Sequence, residues 1–208
     1  VTWLRGRWVP LTVLVGALAA LIASLVWVSG ASGGPSRHGP MTGIASRDGP
    51  VRSLADAGRA ADRFGNRWGL HVGEVMRFTN GYYAELLDPR GKGATEVLID
   101  PRSGTVNLEF GPAMMWNTAY GMMPGRTGSR AATIGPEQAS RIADRWLEEH
   151  RPGLRAAEPE DFPGYYTLHT QRNGKTVGML SVNDRTGDVW YHTWHGRFIE
   201  MREPADSQ

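Results

Sequence analysis

The chain has 208 residues with 23 Lys and Arg against 21 Asp and Glu, a formal net charge of +2. It therefore lacks the basic stripe that a phosphate backbone requires, and no nucleic acid partner is expected. It has no cysteine, which excludes disulfides, thiolate metal sites, iron–sulfur clusters and thiol nucleophiles.

In chain order, the first feature is an uncharged run from Val9 to Val28. At ~1.5 Å per residue it spans ~30 Å, the hydrocarbon thickness of a bilayer. Arg5 and Arg7 precede it, no charge follows before Arg37, and Trp3, Trp8 and Trp27 stand at interfacial positions. The positive-inside rule then predicts a single-pass anchor in the cell membrane, with the N-terminus cytoplasmic and the rest extracytoplasmic. The alternative is a signal peptide cleaved near Ser29-Gly30-Ala31 and a secreted product, although the apolar run exceeds the ~7–15 residues usual for such peptides. Residues 29–52, rich in Gly, Ser and Pro, read as a flexible linker.

Ser53 is a predicted helix cap with Asp56 beside the free N–H groups, and Leu54, Ala57, Ala61, Phe64 and Trp68 form one apolar stripe. Strands are predicted over 73–78, 82–87, 95–99 and 105–110, with turns at Thr79-Asn80-Gly81, 89–93 and 100–104. A second helix starts at Pro136-Glu137, carries Ala139, Ile142, Ala143, Trp146 and Leu147 on one face, and stops at Arg151-Pro152-Gly153. Strands are predicted around 155–157, 165–171, 176–182 and 188–192. A helix with one apolar face requires a sheet with one apolar face, so each half is an α+β layer pair.

The halves also repeat. Gly81-Tyr82-Tyr83 with Gly104 recurs as Gly164-Tyr165-Tyr166 with Gly187, and Ala61-Asp62-Arg63-Phe64 answers to Ala143-Asp144-Arg145-Trp146. A period of this length means two domain-sized lobes rather than a solenoid. The second copy, with Gly135-Pro136-Glu137-Gln138-Ala139, Gly164-Tyr165-Tyr166, Asn173-Gly174-Lys175 and the closing turn Asp184 to Val189, resembles the PepSY domain; residues 54–110 are a more degenerate copy. The resemblance implies two tandem PepSY-like lobes, each one helix on a small antiparallel sheet. It implies a binding or protease-inhibiting module and not an enzyme. No His-Glu-x-x-His occurs, so any protease concerned would be a separate molecule.

The expected organisation is thus a cytoplasmic tip and transmembrane anchor (1–28), a linker (29–52), lobe 1 (53–110), a Met- and aromatic-rich connector (111–133), lobe 2 (134–200) and a polar tail (201–208). The connector and the stretch Trp190 to Gly196 are the candidate contact regions, and Met114, Met115, Trp116, Tyr120, His192, Trp194 and His195 are the residues expected to meet a partner. No cofactor is required by this reading. The alternative is copper held by Met114, Met115, Met122 and Met123 with His192 and His195, because soft thioethers suit Cu(I); against it, adaptable Met side chains also fill gaps between lobes. On a strand, His192 and His195 would face opposite sides and converge only if the chain turns between them. Glu158, Glu160 and Asp161 read as a solvated acidic loop, and Ser181 lacks a nucleophile-elbow motif. The expected function is membrane-anchored binding of another envelope protein, a protease among the candidates, with an accessory role in a membrane complex as a further alternative.

Overall fold

The computed structural model describes residues 49–122 and 132–203. The predicted span 9–28, most of the linker, Met123 and the end of the tail from residue 204 lie outside them. Among the described residues, no helix is long and apolar enough to cross a membrane.

Helix α1 (Leu54–Gly65) begins as its sequence requires: the Ser53 hydroxyl accepts the Asp56 N–H at 3.1 Å, and the Asp56 carboxylate accepts the Arg52 N–H at 3.1 Å. The first bond satisfies a donor that a helix start leaves open, and the second ties the incoming chain to the first turn. Its stripe of Ala57, Ala60, Ala61 and Phe64 is buried against Val75, Tyr82, Ala84, Leu86, Val97 and Ile99. These belong to strands β1 (His71–Phe78), β2 (Gly81–Leu87) and β3 (Gly93–Ile99), followed by a short β4 (Val106–Leu108). A four-residue helix α2 (Pro112–Met115) opens the connector, and α3 (Pro136–His150) opens the second half. Its buried face, Ala139, Ala143 and Leu147, packs on Tyr166, Leu168, Leu180 and Val182. The second sheet is β5 (Arg155–Phe162), β6 (Tyr165–Arg172), β7 (Lys175–Asn183) and β8 (Val189–Tyr191), antiparallel and in chain order.

The internal repeat reappears atom by atom at the turns between third and fourth strands. Gly104 and Gly187 have φ of 68° and 74°, a left-handed conformation that glycine adopts without strain. Their N–H groups reach Asp100 O at 2.9 Å and Asn183 O at 3.1 Å. Asp100 Oδ1 accepts the N–H groups of Arg102 and Ser103, as Asn183 Oδ1 accepts those of Arg185 and Thr186.

Two features depart from the sequence expectations. Strand β9 (Phe198–Arg202) runs from the end of the second half into the predicted tail, and it joins the first sheet, whose order is β4-β3-β2-β1-β9. Met201 and Arg202 are therefore sheet residues, with Met76 opposite Met201 and Val75 opposite Arg202. Moreover, the sheet faces turned away from the helices meet each other instead of water. Met179 of β7 packs with Met76, Phe78 and Tyr83, and Phe162 and Tyr165 pack with Ala113. The layering is helix, sheet, sheet, helix, and the described residues all fall within one compact unit.

Candidate functional site

Between the two sheets lies a layer rich in carboxylates. Alternation along the strands points Glu74, Glu85 and Glu96 of three neighbouring strands to the same side. Glu85 sits opposite Glu96 in register, and its Oε2 lies 3.4 Å from the Glu74 N–H. All three are buried, as is Glu109 just after β4. Across the gap, Glu160 of β5 and His169 of β6 face them, and His169 Nε2 is 3.0 Å from Glu74 Oε1. The run Glu158 to Asp161 is thus strand, not solvated loop: Glu160 is half-buried, while Glu158 and Asp161 remain exposed.

Burial sets the electrostatics of the layer, because a carboxylate leaving water favours its protonated form. It pushes Glu85 up to about 7, with the Glu74 N–H opposing. Glu109 is pushed up to about 8 by burial and then by the charge of Glu96, although the Ala113 N–H and the Trp194 indole donate to it at 3.2 and 2.8 Å. Glu160 is likewise raised to about 8, by burial and by Glu85, with His169 opposing. Burial also raises Glu96, against the Tyr83 hydroxyl that donates to its Oε1 at 2.7 Å. The Tyr165 and Thr167 hydroxyls lower its proton affinity further, yet Glu96 Oε2 and the Tyr165 hydroxyl make no hydrogen bond of ordinary geometry. For His169, burial favours the neutral ring, but the Glu74 hydrogen bond and the charges of Glu74, Glu160 and Glu203 outweigh it and raise the imidazole above its usual value.

A string of hydroxyls continues from this layer. Thr167 Oγ1 is 2.9 Å from Ser181 Oγ, which is 2.9 Å from His192 Nε2. Enclosure lowers His192 to about 3, so the ring is neutral. The chain does turn after Tyr191: Gly196 has φ of 71°, and the His192 and His195 rings come to 6.4 Å between centroids. His195 stacks on Phe78 at 4.0 Å. Both imidazoles are buried, at 0% and 4% exposure, so neither offers a surface to a partner. Trp194 is half-buried and spends its indole N–H on Glu109.

The described stretch of the connector, residues 111–122, bridges the two halves. The Asn117 amide donates to Ala94 O at 2.8 Å while its Oδ1 accepts the Ala119 and Tyr120 N–H groups, and the Thr118 N–H reaches Pro163 O at 2.9 Å. The first bond holds the connector to one sheet and the last to the other half. Met114, Trp116 and Tyr120 are half-buried, whereas Met115 and Met122 are each 56% exposed. Trp116 meets Trp190 edge to face at 6.5 Å, and Trp190 crosses Gly111 so closely that a Cβ there would lie 2.7 Å from its ring nitrogen. Among the described residues the exposed large apolar side chains are Phe110, Met115, Met122, Trp190 and Ile199. Four of these five thus lie in or against the connector. Two clefts adjoin it, one of about 310 Å³ with Tyr120, Phe162 and Pro163 in its wall, the other of about 280 Å³ lined by Leu98, Phe110, Trp194 and His195.

No protein-family profile matches the chain, and no curated protein is similar to it. Among solved structures, it is similar to the C-terminal domain of YpeB from Bacillus megaterium, at 18% identity and a TM-score of 0.26. The match covers 68% of this chain and 62% of that one, so the chain spans less than two thirds of that domain's length. Likeness this slight adds nothing to the reading of the site.

Proposed function

We propose that the chain is an extracytoplasmic PepSY-like binding module, held to the membrane by residues 9–28, that docks an envelope protein on the connector. The observation that supports this reading is the concentration of exposed apolar side chains there, since Phe110, Met115, Met122 and Trp190 lie in or beside the connector, Trp190 against Gly111, while the rest of the described surface carries only Ile199 of that kind. Protein contact surfaces are built around aromatic and Met anchors with charge kept to the rim. Docking by strand addition is disfavoured by the edges themselves. Strands β4 and β8 have three residues each, β5 carries Pro159 and a register shift, and β9 alternates exposed charges, Glu200 and Arg202. A protease remains among the partners this reading admits.

The test uses a photo-crosslinking residue at Met115 in the full chain expressed in its host, with exposed Glu137 on α3 as the control position. A discrete adduct with an envelope protein should form from position 115, vanish when Phe110 and Trp190 are changed to Ser, and be absent from position 137. Identical adduct patterns from both positions would refute the reading.

A further inference from the structure

We infer that Glu74, Glu160 and His169 form a binding site for one divalent ion of the zinc class, clamped between the two halves of the fold. One ligand atom from each side chain lies within 4.8 Å of the other two. Tetrahedral zinc with bonds of about 2.0–2.2 Å to imidazole nitrogen and carboxylate oxygen sets its ligand atoms roughly 3.4 Å apart. The His169 to Glu74 distance of 3.0 Å lies within about half an ångström of that spacing, and bringing all three atoms to it asks for side-chain motion of about an ångström. The three residues stand on β1, β5 and β6, and strands hold ligands more firmly than loops do.

A second observation points the same way. Glu96, fully buried, faces the same layer with Oε2 lacking a hydrogen bond of ordinary geometry; its charge acts on Glu160, and that of His169 acts on it. The buried polar side chains among the described residues include Glu74, Glu85, Glu96 and Glu109 but no Lys or Arg. Buried anions need either protons or a cation, and His169 is the one basic group that the layer itself supplies. Two oxygens and one imidazole are a borderline-to-hard donor set, which selects zinc or manganese over Cu(I). Access is available because the His169 side chain keeps 15% of its surface and Glu160 is half-buried. The site goes beyond the proposed docking role and does not depend on it.

The decisive experiment takes the untagged full chain in mild detergent, stripped with a chelator and titrated with zinc chloride by calorimetry at pH 7.5. One ion per chain should bind with a dissociation constant in the micromolar range or below. Changing His169→Gln or Glu160→Gln should weaken it more than tenfold, since even outer-shell changes at metal sites cost about 10–100-fold. Met115→Leu with Met122→Leu should leave it unchanged. X-ray absorption on the zinc-loaded wild-type chain, which needs no variant to fold, should show one imidazole among oxygens at about 2.0–2.2 Å and no sulfur. Absence of saturable binding up to 0.1 mM, undiminished affinity in both folded variants, or a first shell containing sulfur or lacking imidazole overturns the assignment.

Discussion

At the scale of single residues, Glu96 shows what the sandwiched layer demands. Its Oε1 takes the Tyr83 hydroxyl at 2.7 Å and its Oε2 has no partner, so Tyr83 carries the one well-formed hydrogen bond to a fully buried carboxylate. Tyr83→Phe removes that donor and changes little else in volume. Loss of about 1–3 kcal/mol is expected in urea unfolding. The loss should be larger at pH 8 than at pH 5, because the hydroxyl favours the ionised form that higher pH populates. Gly93 is a second sensitive point, for packing and not for its φ. A Cβ there would stand 2.6 Å from Asp161 O and 2.9 Å from the Phe162 ring, where β3 touches β5. Gly93→Ala should therefore cost about 1–3 kcal/mol by prising the halves apart, read from the thermal midpoint. None of this was visible in the sequence. Glu74, Glu85 and Glu96 occupy the polar half of an alternating pattern, and alternation alone assigns that half to solvent. That His192 and His195 are buried was equally hidden, since nothing local says that a chain bearing aromatics folds back under Phe78.

Among the elements, the two long helices and the first eight strands were legible because each signal is local, whereas the one-turn helix α2 inside the connector was not. A cap at Ser53, Pro136 at the first helical position, period-3.6 stripes, and turns at Asn80-Gly81 and Asn173-Gly174 mark them within a few residues, and observed bounds such as β2 at Gly81–Leu87 fall close to the expected ones. The full length of strand β5 is hidden in the sequence because Pro159 and three acidic residues mimic a loop; a register shift between Ala156 and Pro159 accommodates the proline on an edge strand. Strand β9 has no local signature, because its partner β1 lies more than a hundred residues upstream and no period within Phe198 to Arg202 encodes that pairing. Its removal is informative. A chain ending at Arg197 loses Phe198 and Met201, which pack on Met76, Phe78 and Tyr83. Burial of two such side chains in part is worth about 2–4 kcal/mol, so the midpoint should fall by roughly 5–10 °C in a domain of this size. An unchanged midpoint would mean that β9 merely decorates the sheet.

For the whole molecule, stacking two helix-backed sheets through their inner faces makes stability depend on pH in a definite sense. Folding raises Glu85 to about 7 and Glu109 and Glu160 to about 8 from an ordinary 4.5, so the native state holds more protons than the unfolded chain throughout that interval. Their contribution is complete below about 4.5 and is lost as pH climbs to about 8. Folding depresses His192 from 6.5 to about 3 and lowers His195, so there the unfolded chain holds more protons, and stability is complete above about 6.5 and lost toward 3. Between 4.5 and 6.5 the two trends oppose each other, and with three carboxylates against two imidazoles the profile should fall less steeply than above 6.5. From 6.5 to 8 only the carboxylate trend and the raised His169 remain, both of which favour the lower pH. With chelator present to keep cations out, urea stability should therefore decline across that range, Glu109 alone contributing on the order of 2 kcal/mol at about 1.4 kcal/mol per pH unit. Glu109→Gln removes the charge while leaving an acceptor for the Ala113 or Trp194 N–H, and should flatten the alkaline limb without moving the acid one. Stability that rises from pH 6.5 to 8 in the wild-type chain would show that these carboxylates are ionised at little cost, and that the layer between the sheets is wetter or better compensated than its enclosure implies.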